Sequence, residues 1–359
     1  MMKNNVKILL TGGGSGGHAF PTLAVARQLS HDCREKNLNC RLWYFGSFSG
    51  PERKLVKEYG LKYYPVFTGK WRRYISFWNL VDVFKIILGF FQTIILLLWF
   101  WPDVIFAKGG YVTLPVVFAA WILRRPIVSH ESDIILGASN KIEANLVNKI
   151  CVSFPLDVYK KLPVGKAVYT GNPVRQEFLE KRKEVEDKHL LVFGGSQGAH
   201  KINELVAQIA PKLSQTIKII HICGQEDYAE FSKKSNESYE VHAFIKDIAL
   251  VMAQSKLIIS RAGANSITEI LTLGKPSILI PLPSAASSHQ LKNATYIQER
   301  GAAVCIDEEK LTENQLLDII ERILNDKSVL QKMSLAARNL TRPQAASLIS
   351  KEILNQIRR

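Results

Sequence analysis

Two stretches of this chain combine backbone suited to holding an anion with side chains that could do chemistry. The first is Thr11-Gly-Gly-Gly-Ser-Gly-Gly-His-Ala-Phe-Pro21, where glycine fills five of the six positions 12–17. Such density lets the backbone take φ > 0 and approach a ligand closely. A helix expected to start near Pro21 would aim its free N–H groups and positive dipole end at the same spot, which makes an anion site. His18, at the loop tip, supplies an imidazole that titrates near neutrality and could serve as a general base. The second stretch is Ser260-Arg-Ala-Gly-Ala-Asn-Ser-Ile-Thr-Glu269, a strand end running into a helix that opens near Asn265 or Ser266. Its first N–H groups suit a pyrophosphate without a metal. Glu269, one turn in, could accept both hydroxyls of a ribose; the plainer alternative is a glutamate that only satisfies the helix dipole.

A third polar cluster, His130-Glu-Ser-Asp133, closes an apolar run. It could act on a substrate or simply fix a loop as a buried polar pair. The spacing Gly12-x-Gly14-x-x-Gly17 also fits the dinucleotide fingerprint, which expects an acid at the end of the second strand. That strand, Arg41–Gly46, runs instead into Ser47 and Phe48, and Asp32 falls within or just after the first helix. The dinucleotide reading is therefore weak. No Asp-x-Asp pair occurs, so neither a metal-bridged pyrophosphate nor any other metal or cofactor is called for.

These residues need elements that bring them to one edge of a sheet. Apolar strands are expected at 7–10, Arg41–Gly46, Asp103–Ala107, Pro126–Glu131 and Lys149–Ser153, alternating with helices at Leu23–Leu29, Pro51–Tyr59 and Val116–Leu123. A second glycine turn, Gly109-Gly110, follows the third of these strands. The stretch Glu177–Lys188 is rich in charge with no apolar pattern and reads as a linker. Alternation then resumes with Leu190–Phe193, the turn Gly194–Gly198, a helix over Lys201–Leu213, and strands at 217–223, 241–244, 257–260, 277–280 and 303–306. Strand–helix alternation with short turns predicts α/β domains with doubly wound parallel sheets, one in each half of the chain. Ligands of such sheets lie beyond the carboxyl ends of the strands, where the glycine turns and the 130–133 cluster fall.

One segment resists this pattern. Val83–Trp101 is almost wholly apolar and nearly long enough to span a bilayer. A spanning helix would put the strand at 103–107 on the wrong side and would bury Lys85, Gln92 and Thr93. A buried helix would lack the polar face that helices on sheets normally keep. A helix dipping into a membrane interface fits best, flanked as it is by Lys70, Trp71, Arg72, Arg73 and Trp78.

A chain of 359 residues suggests two domains, and 47% hydrophobic with 22% charged residues marks a folded globular protein. Five scattered cysteines without metal or disulfide spacing fit a reducing compartment. The formal charge of +15 calls for an acidic partner: anionic lipid or a phosphorylated substrate. No zinc-finger spacing, RNA-binding aromatic motif or basic heptad region is present, so nucleic acid is not expected.

Taken together and in order, 11–21, Lys108–Val112, His130–Asp133, Gly171-Asn-Pro-Val-Arg175, Gly194–Ala199 and Arg261–Glu269, with His289, Gln290 and Asn293, resemble the MurG family of bacterial peptidoglycan N-acetylglucosaminyltransferases. The resemblance covers nearly the whole chain. It implies a GT-B fold, two Rossmann-like domains facing a cleft: 1–174 for acceptor and membrane, completed by a return helix at 343–359, and 175–342 for the UDP-sugar. It implies inverting transfer of N-acetylglucosamine from UDP-N-acetylglucosamine to the muramyl 4-hydroxyl of undecaprenyl-linked lipid I, giving lipid II on the cytoplasmic face of the cell membrane. A cell-wall synthesis complex would be a further partner. Residues matching Ser15, Gly16, Gly17, Asp133, Arg175, Ser196, Ile245, Ala264, Glu269 and Gln290 contact the nucleotide sugar in that family, and Asp133 stands where some members carry asparagine. The helix start at Ala264–Ser266, with Ser196, would stabilise the leaving UDP. His18 is the first candidate for the base and Glu131 the second. A UDP-N-acetylglucosamine 2-epimerase, which needs no membrane patch, a membrane-docked sugar-nucleotide scaffold and, nearest of the three, a transferase using another sugar or a diacylglycerol acceptor are the competing readings.

Overall fold

The computed structural model describes residues 5–14, 16–69, 77–182, 186–195 and 199–357. Ser15, Lys70, Trp71, Arg72, Arg73 and Ser196 lie outside those residues. The chain divides into two compact units, Met1–Arg175 with Arg342–Arg359, and Gln176–Thr341.

The first unit runs β1 (Asn5–Thr11), α1 (Gly16–Glu35), β2 (Asn39–Gly46), α2 (Glu52–Glu58), β3 (Lys62–Pro65), α3 (Phe77–Phe100), β4 (Val104–Ala107), α4 (Thr113–Ile122), β5 (Ile127–Glu131), α5 (Ala138–Glu143), β6 (Lys149–Val152) and β7 (Ala167–Tyr169). Among the described residues its strands form one parallel sheet in the order β3-β2-β1-β4-β5-β6-β7. Helices cover both faces of such a sheet, so β4 and β5 bury every residue, as unbroken apolar runs should. The strand order reverses between β1 and β4. That switch point opens a crevice beyond the strand ends, and both glycine turns lie there.

The second unit runs α6 (Gln176–Glu180), β8 (His189–Phe193), α7 (His200–Leu213), β9 (Lys218–Ile222), α8 (Tyr228–Phe231), β10 (Tyr239–His242), α9 (Ile248–Ala253), β11 (Ser255–Ser260), α10 (Ala264–Leu273), β12 (Ser277–Leu279), α11 (His289–Gln298), β13 (Ala303–Cys305), α12 (Glu313–Asn325) and α13 (Lys327–Leu340). Its parallel sheet has the order β10-β9-β8-β11-β12-β13, reversing between β8 and β11. The last helix, α14 (Ala345–Asn355), belongs to the first unit, where Ile349 and Ile353 enter the core beside β1 and β4. Ser350 Oγ donates to Asp32 Oδ2 at 2.5 Å. Asp32, the only acid at the dinucleotide spacing, thus pins this helix.

Several expectations shift. The first helix starts at Gly16 and runs through Pro21. A proline this close to the start removes one helical N–H without breaking the element, and the Thr22 hydroxyl donates to the His18 carbonyl at 2.8 Å. The strands β3 and β7 were not foreseen: each is short and half exposed, so neither carries an apolar run. The charged stretch after Arg175 holds α6, which buries Phe178 completely. A single aromatic anchor in a charged run leaves no periodic signal.

The apolar segment forms α3, the crossover that returns the chain from edge strand β3 to β4 beside β1. Both flanking strands belong to one sheet, so α3 does not cross a membrane. Neither is it a buried helix, since only 17% of Asp82–Phe100 is buried. Gly89, Thr93 and Leu97 form its narrow inner stripe. A Cβ at Gly89 would meet the Phe67 carbonyl at 1.8 Å, so glycine is what lets the chain after β3 cross the helix. Gln92 satisfies that chain, accepting from Phe67 N at 2.9 Å and donating to Pro65 O at 3.0 Å. The outward face exposes Phe84, Leu88, Phe91, Ile95 and Trp99, the last by 77%. Their spacing of three or four residues makes one continuous apolar stripe.

Candidate active site

In the first unit, the turns after β1 and β4 interlock. Gly109 and Gly110 both take φ near +90°, and a Cβ on Gly110 would lie 2.3 Å from the Gly13 carbonyl. Only glycine permits that approach. Beneath them lies a carboxylate that sequence reasoning missed. Glu52, fully buried, accepts from Ser47 N at 3.0 Å and from Gly14 N at 3.3 Å. Tyr44 Oη braces the same loop by donating to the Gly12 carbonyl at 2.6 Å. One N–H of the glycine turn is therefore spent on the protein's own carboxylate, which narrows the anion site expected there.

Gly16, Gly17 and His18 form the first turn of α1. The His18 ring packs on Gly110 and donates to the Lys108 carbonyl, while its Nδ1 is buried with no hydrogen-bond partner. A bond at the other nitrogen fixes the tautomer and leaves the Nδ1 lone pair unused. Burial first, and then the Lys108 charge, push the ring down to about 4, so it is uncharged at neutral pH.

The β5 end supplies His130, Glu131 and Asp133. His130 is buried and its Nε2 meets the Gly171 carbonyl at 3.0 Å; burial holds it well below its ordinary value. Glu131 Oε1 accepts from Asp133 N at 3.0 Å, and Oε2 accepts from Gly137 N at 2.7 Å and Asn140 Nδ2 at 2.8 Å. Both oxygens are engaged in folding the 132–137 loop, and burial, then the neighbouring Asp133, raise the acid. Tyr159 Oη holds the same loop at the Asp133 carbonyl, 2.8 Å away. Arg175 stacks on the Phe20 ring, 5.0 Å from its centre.

In the second unit the donor candidates gather at the carboxyl edge of the sheet. The helix α10 begins at Ala264, a residue or two earlier than expected, and no side chain caps it. Its cap residue Gly263 faces open space. Asn265 and Ser266 lie in the first turn and Glu269 in the second, each half-buried. Gly274 ends the helix at φ +67°, as its position predicts. Gln290, in the first turn of α11, accepts from Leu282 N at 3.0 Å. Asn293 is fully buried, donating to Ala262 O at 3.4 Å, so it braces the loop before α10. Ile245 lies in the loop after edge strand β10, beside Phe244, which is 77% exposed. Trp78 lies in α3 of the first unit.

Sequence reasoning also missed an ion pair that ties three loops of this edge together. Buried Arg261 meets Glu308 at 2.7 Å and reaches the carbonyls of Ile280 and Pro281, each at 3.4 Å. The pair is close but poorly aligned: the Glu308 oxygen receives no in-line N–H, and Arg261 Nε has no acceptor. No local pattern links residues so far apart in the chain.

Two parallel-sheet units with these half-sites at their switch points define a fold of the GT-B class. Residues 8–152 match the glycosyltransferase family 28 N-terminal domain and residues 189–350 the family 28 C-terminal domain. A relative from Lachnospira eligens, named UDP-N-acetylglucosamine–N-acetylmuramyl-(pentapeptide) pyrophosphoryl-undecaprenol N-acetylglucosamine transferase, is 39% identical over 89% of this chain and 92% of its own length. The crystal structure of Acinetobacter baumannii MurG superposes with a TM-score of 0.78 at 27% identity, covering 98% of this chain and 99% of that one. The chain belongs to the MurG family. A UDP-N-acetylglucosamine 2-epimerase from Neisseria meningitidis shares the fold (TM-score 0.69, 13% identity, covering 98% and 100% of the two chains), so architecture alone does not separate transfer from epimerisation.

Proposed function

We propose that this chain moves N-acetylglucosamine from UDP-N-acetylglucosamine to the muramyl hydroxyl of undecaprenyl-pyrophosphoryl-N-acetylmuramyl-pentapeptide, with inversion at the anomeric carbon. The observation that carries the reading is agreement over 89% of the chain with a relative named for that transfer. The first unit takes the acceptor and the second the donor. UDP lies at the uncapped start of α10, where the N–H groups of Ala264–Ser266 and the helix dipole stabilise the departing diphosphate without a metal. Glu269 accepts the ribose hydroxyls, the main chain at Ile245 reads the base, and Gln290, Arg175, Ser196 and Asp133 complete the donor contacts, with Gly16 and Gly17 facing the acceptor pyrophosphate. The acceptor oxygen attacks the anomeric carbon as the bond to UDP breaks, and His18 Nδ1, buried and lacking a donor, takes the hydroxyl proton. Glu131, committed to its loop, supports Asp133 and is not the base.

The test is transfer of labelled sugar to lipid I in detergent, with Glu269→Ala as control. Lipid II that disappears in the variant supports both reaction and donor site. UDP-N-acetylmannosamine without lipid product would point to an epimerase, and donor binding with neither product to a scaffold.

The outer stripe of α3 docks this enzyme on an anionic membrane. Isolated exposed apolar residues are ordinary, but a stripe ending in Trp99 and continuing at Trp121 and Ile122 of the adjoining helix α4 is not. Phe91→Glu combined with Trp99→Glu is expected to weaken binding to phosphatidylglycerol vesicles by about ten-fold or more while leaving the melting temperature unchanged. Undiminished vesicle binding would refute the assignment.

A further inference from the structure

A chain of buried hydrogen bonds runs beneath the carboxyl edge of the second sheet. At its centre is Asn203, fully buried in the first turn of α7. Its Nδ2 donates to the Cys223 carbonyl at 2.9 Å and to Asp227 Oδ2 at 2.6 Å, and its Oδ1 meets His221 Nε2 at 2.9 Å. The other ring nitrogen of His221, Nδ1, meets Tyr239 Oη at 2.8 Å. Two oxygens beside Nδ2 settle which end of the amide is nitrogen. Burial draws His221 down to about 4, so the ring is neutral, with one donor and one acceptor. Nε2–H therefore donates to Asn203, and Nδ1 accepts from the Tyr239 hydroxyl. The side-chain donors all point one way, from the core toward Asp227.

Asp227 is where this chain meets the surface. It stands at the cap position of α8, yet its side chain caps no helical N–H there, the usual task of an aspartate so placed. One oxygen is taken by Asn203, and the other lies 3.0 Å from His200 Nδ1. The loop Gly224–Asp227 is thus held to α7 at both ends, through Cys223 and Asp227. Cys223 also donates its N–H to the His242 carbonyl at 3.0 Å, where the chain leaves β10 for Phe244 and Ile245. Gly224 takes φ +90°, and a Cβ on it would meet nothing within 4 Å among the described residues, as at Gly263. Only β8 separates the strands that these two glycines follow, so the loop borders the open edge that carries the donor contacts.

We propose that Asn203 is a positioning residue for the donor: joined to His221 on one side and Asp227 on the other, it holds the Gly224–Asp227 loop, and through Cys223 the segment after β10, in the arrangement that binds UDP-N-acetylglucosamine. It rests on the reading of this edge as the donor site. An amide suits the position because one short side chain must offer an acceptor to the imidazole and donors to two oxygens. Asn203→Asp keeps the shape but sets a carboxylate oxygen against the Cys223 carbonyl and the Asp227 carboxylate, so the loop end should give way.

The test is made in the full chain, reading kcat and KM for UDP-N-acetylglucosamine and the Kd of UDP by calorimetry. Asn203→Asp is expected to raise KM and Kd by about ten-fold or more, with kcat changed by less than about three-fold. Adding Asp227→Asn turns the pair round, carboxylate at 203 and amide at 227, and should recover about three-fold of the loss. Leu316→Ala, a truncation in the core beneath α12, should lower the melting temperature with KM unmoved, which separates positioning from stability. If Asn203→Asp is insoluble, recovery of soluble enzyme in the double variant is the same rescue. Asp227→Ala, at the half-buried end of the chain, then reads the loop by itself and should raise Kd by about three-fold or more. A folded Asn203→Asp protein with unchanged KM and Kd would overturn the proposal, as would an unmoved Kd in Asp227→Ala. An unmodified chain that binds UDP but makes no lipid II would contradict the reaction and leave this test to be read from Kd; one that binds no UDP would remove both.

Discussion

Replacing His18 with alanine is expected to lower kcat by about 100- to 10,000-fold, the range ordinarily lost with a general base. The KM for UDP-N-acetylglucosamine should change little, because most of the donor contacts proposed above belong to the second unit. The prediction follows from the ring geometry. One nitrogen is fixed by the Lys108 carbonyl, and the other is buried with no partner. Leaving a buried polar atom unsatisfied costs free energy, and an acceptor hydroxyl would satisfy it. Burial keeps the ring neutral down to about pH 4, so the base is available across the physiological range. His18→Gln keeps a polar side chain on the Gly110 face but cannot take a proton, and it should be as inactive as His18→Ala. A donor KM that rises while kcat survives would make His18 a binding residue.

Much of this half-site was legible in the sequence because glycine is diagnostic where backbones must nearly touch. The runs at 12–17 and 109–110 announce an approach that the 2.3 Å clearance at Gly110 makes concrete. The helix at α10 was legible for a similar reason, with Gly263 before it and Gly274 in the left-handed conformation after it. The supports under these loops were not legible. Glu52 looks like any charged residue opening a surface helix, yet it is fully buried beneath Gly14. Lys108 reads as the polar end of a strand, and only the sheet order brings it beside residues 131–133. Tertiary pairings between distant residues leave no period to read. The apolar run at 83–101 was ambiguous because spanning, buried and interfacial helices share one composition. Strand order removed the spanning reading, since β3 and β4 lie in one sheet, and the exposed outer stripe removed the buried one.

Arg261 and Glu308 carry the second large effect. Arg261→Met should destabilise the second unit by about 3–5 kcal/mol, since the Glu308 carboxylate would remain buried without its partner. For a unit of this size that lowers the melting temperature by about 10 °C. Arg261→Met together with Glu308→Leu removes both charges and should regain most of the loss, because an apolar pair of similar volume fills the space at no electrostatic cost. Stability and function then separate. The guanidinium also reaches the carbonyls of Ile280 and Pro281, so the double variant still lacks the tie between the strand that precedes α10 and the loop that precedes α11. Its melting temperature should return while its KM for UDP-N-acetylglucosamine stays raised. Full recovery of both would reduce the pair to a structural element with no bearing on the donor loops. Failure to recover either would mean that Arg261 shapes the edge through its own length and hydrogen bonds, independently of the Glu308 charge.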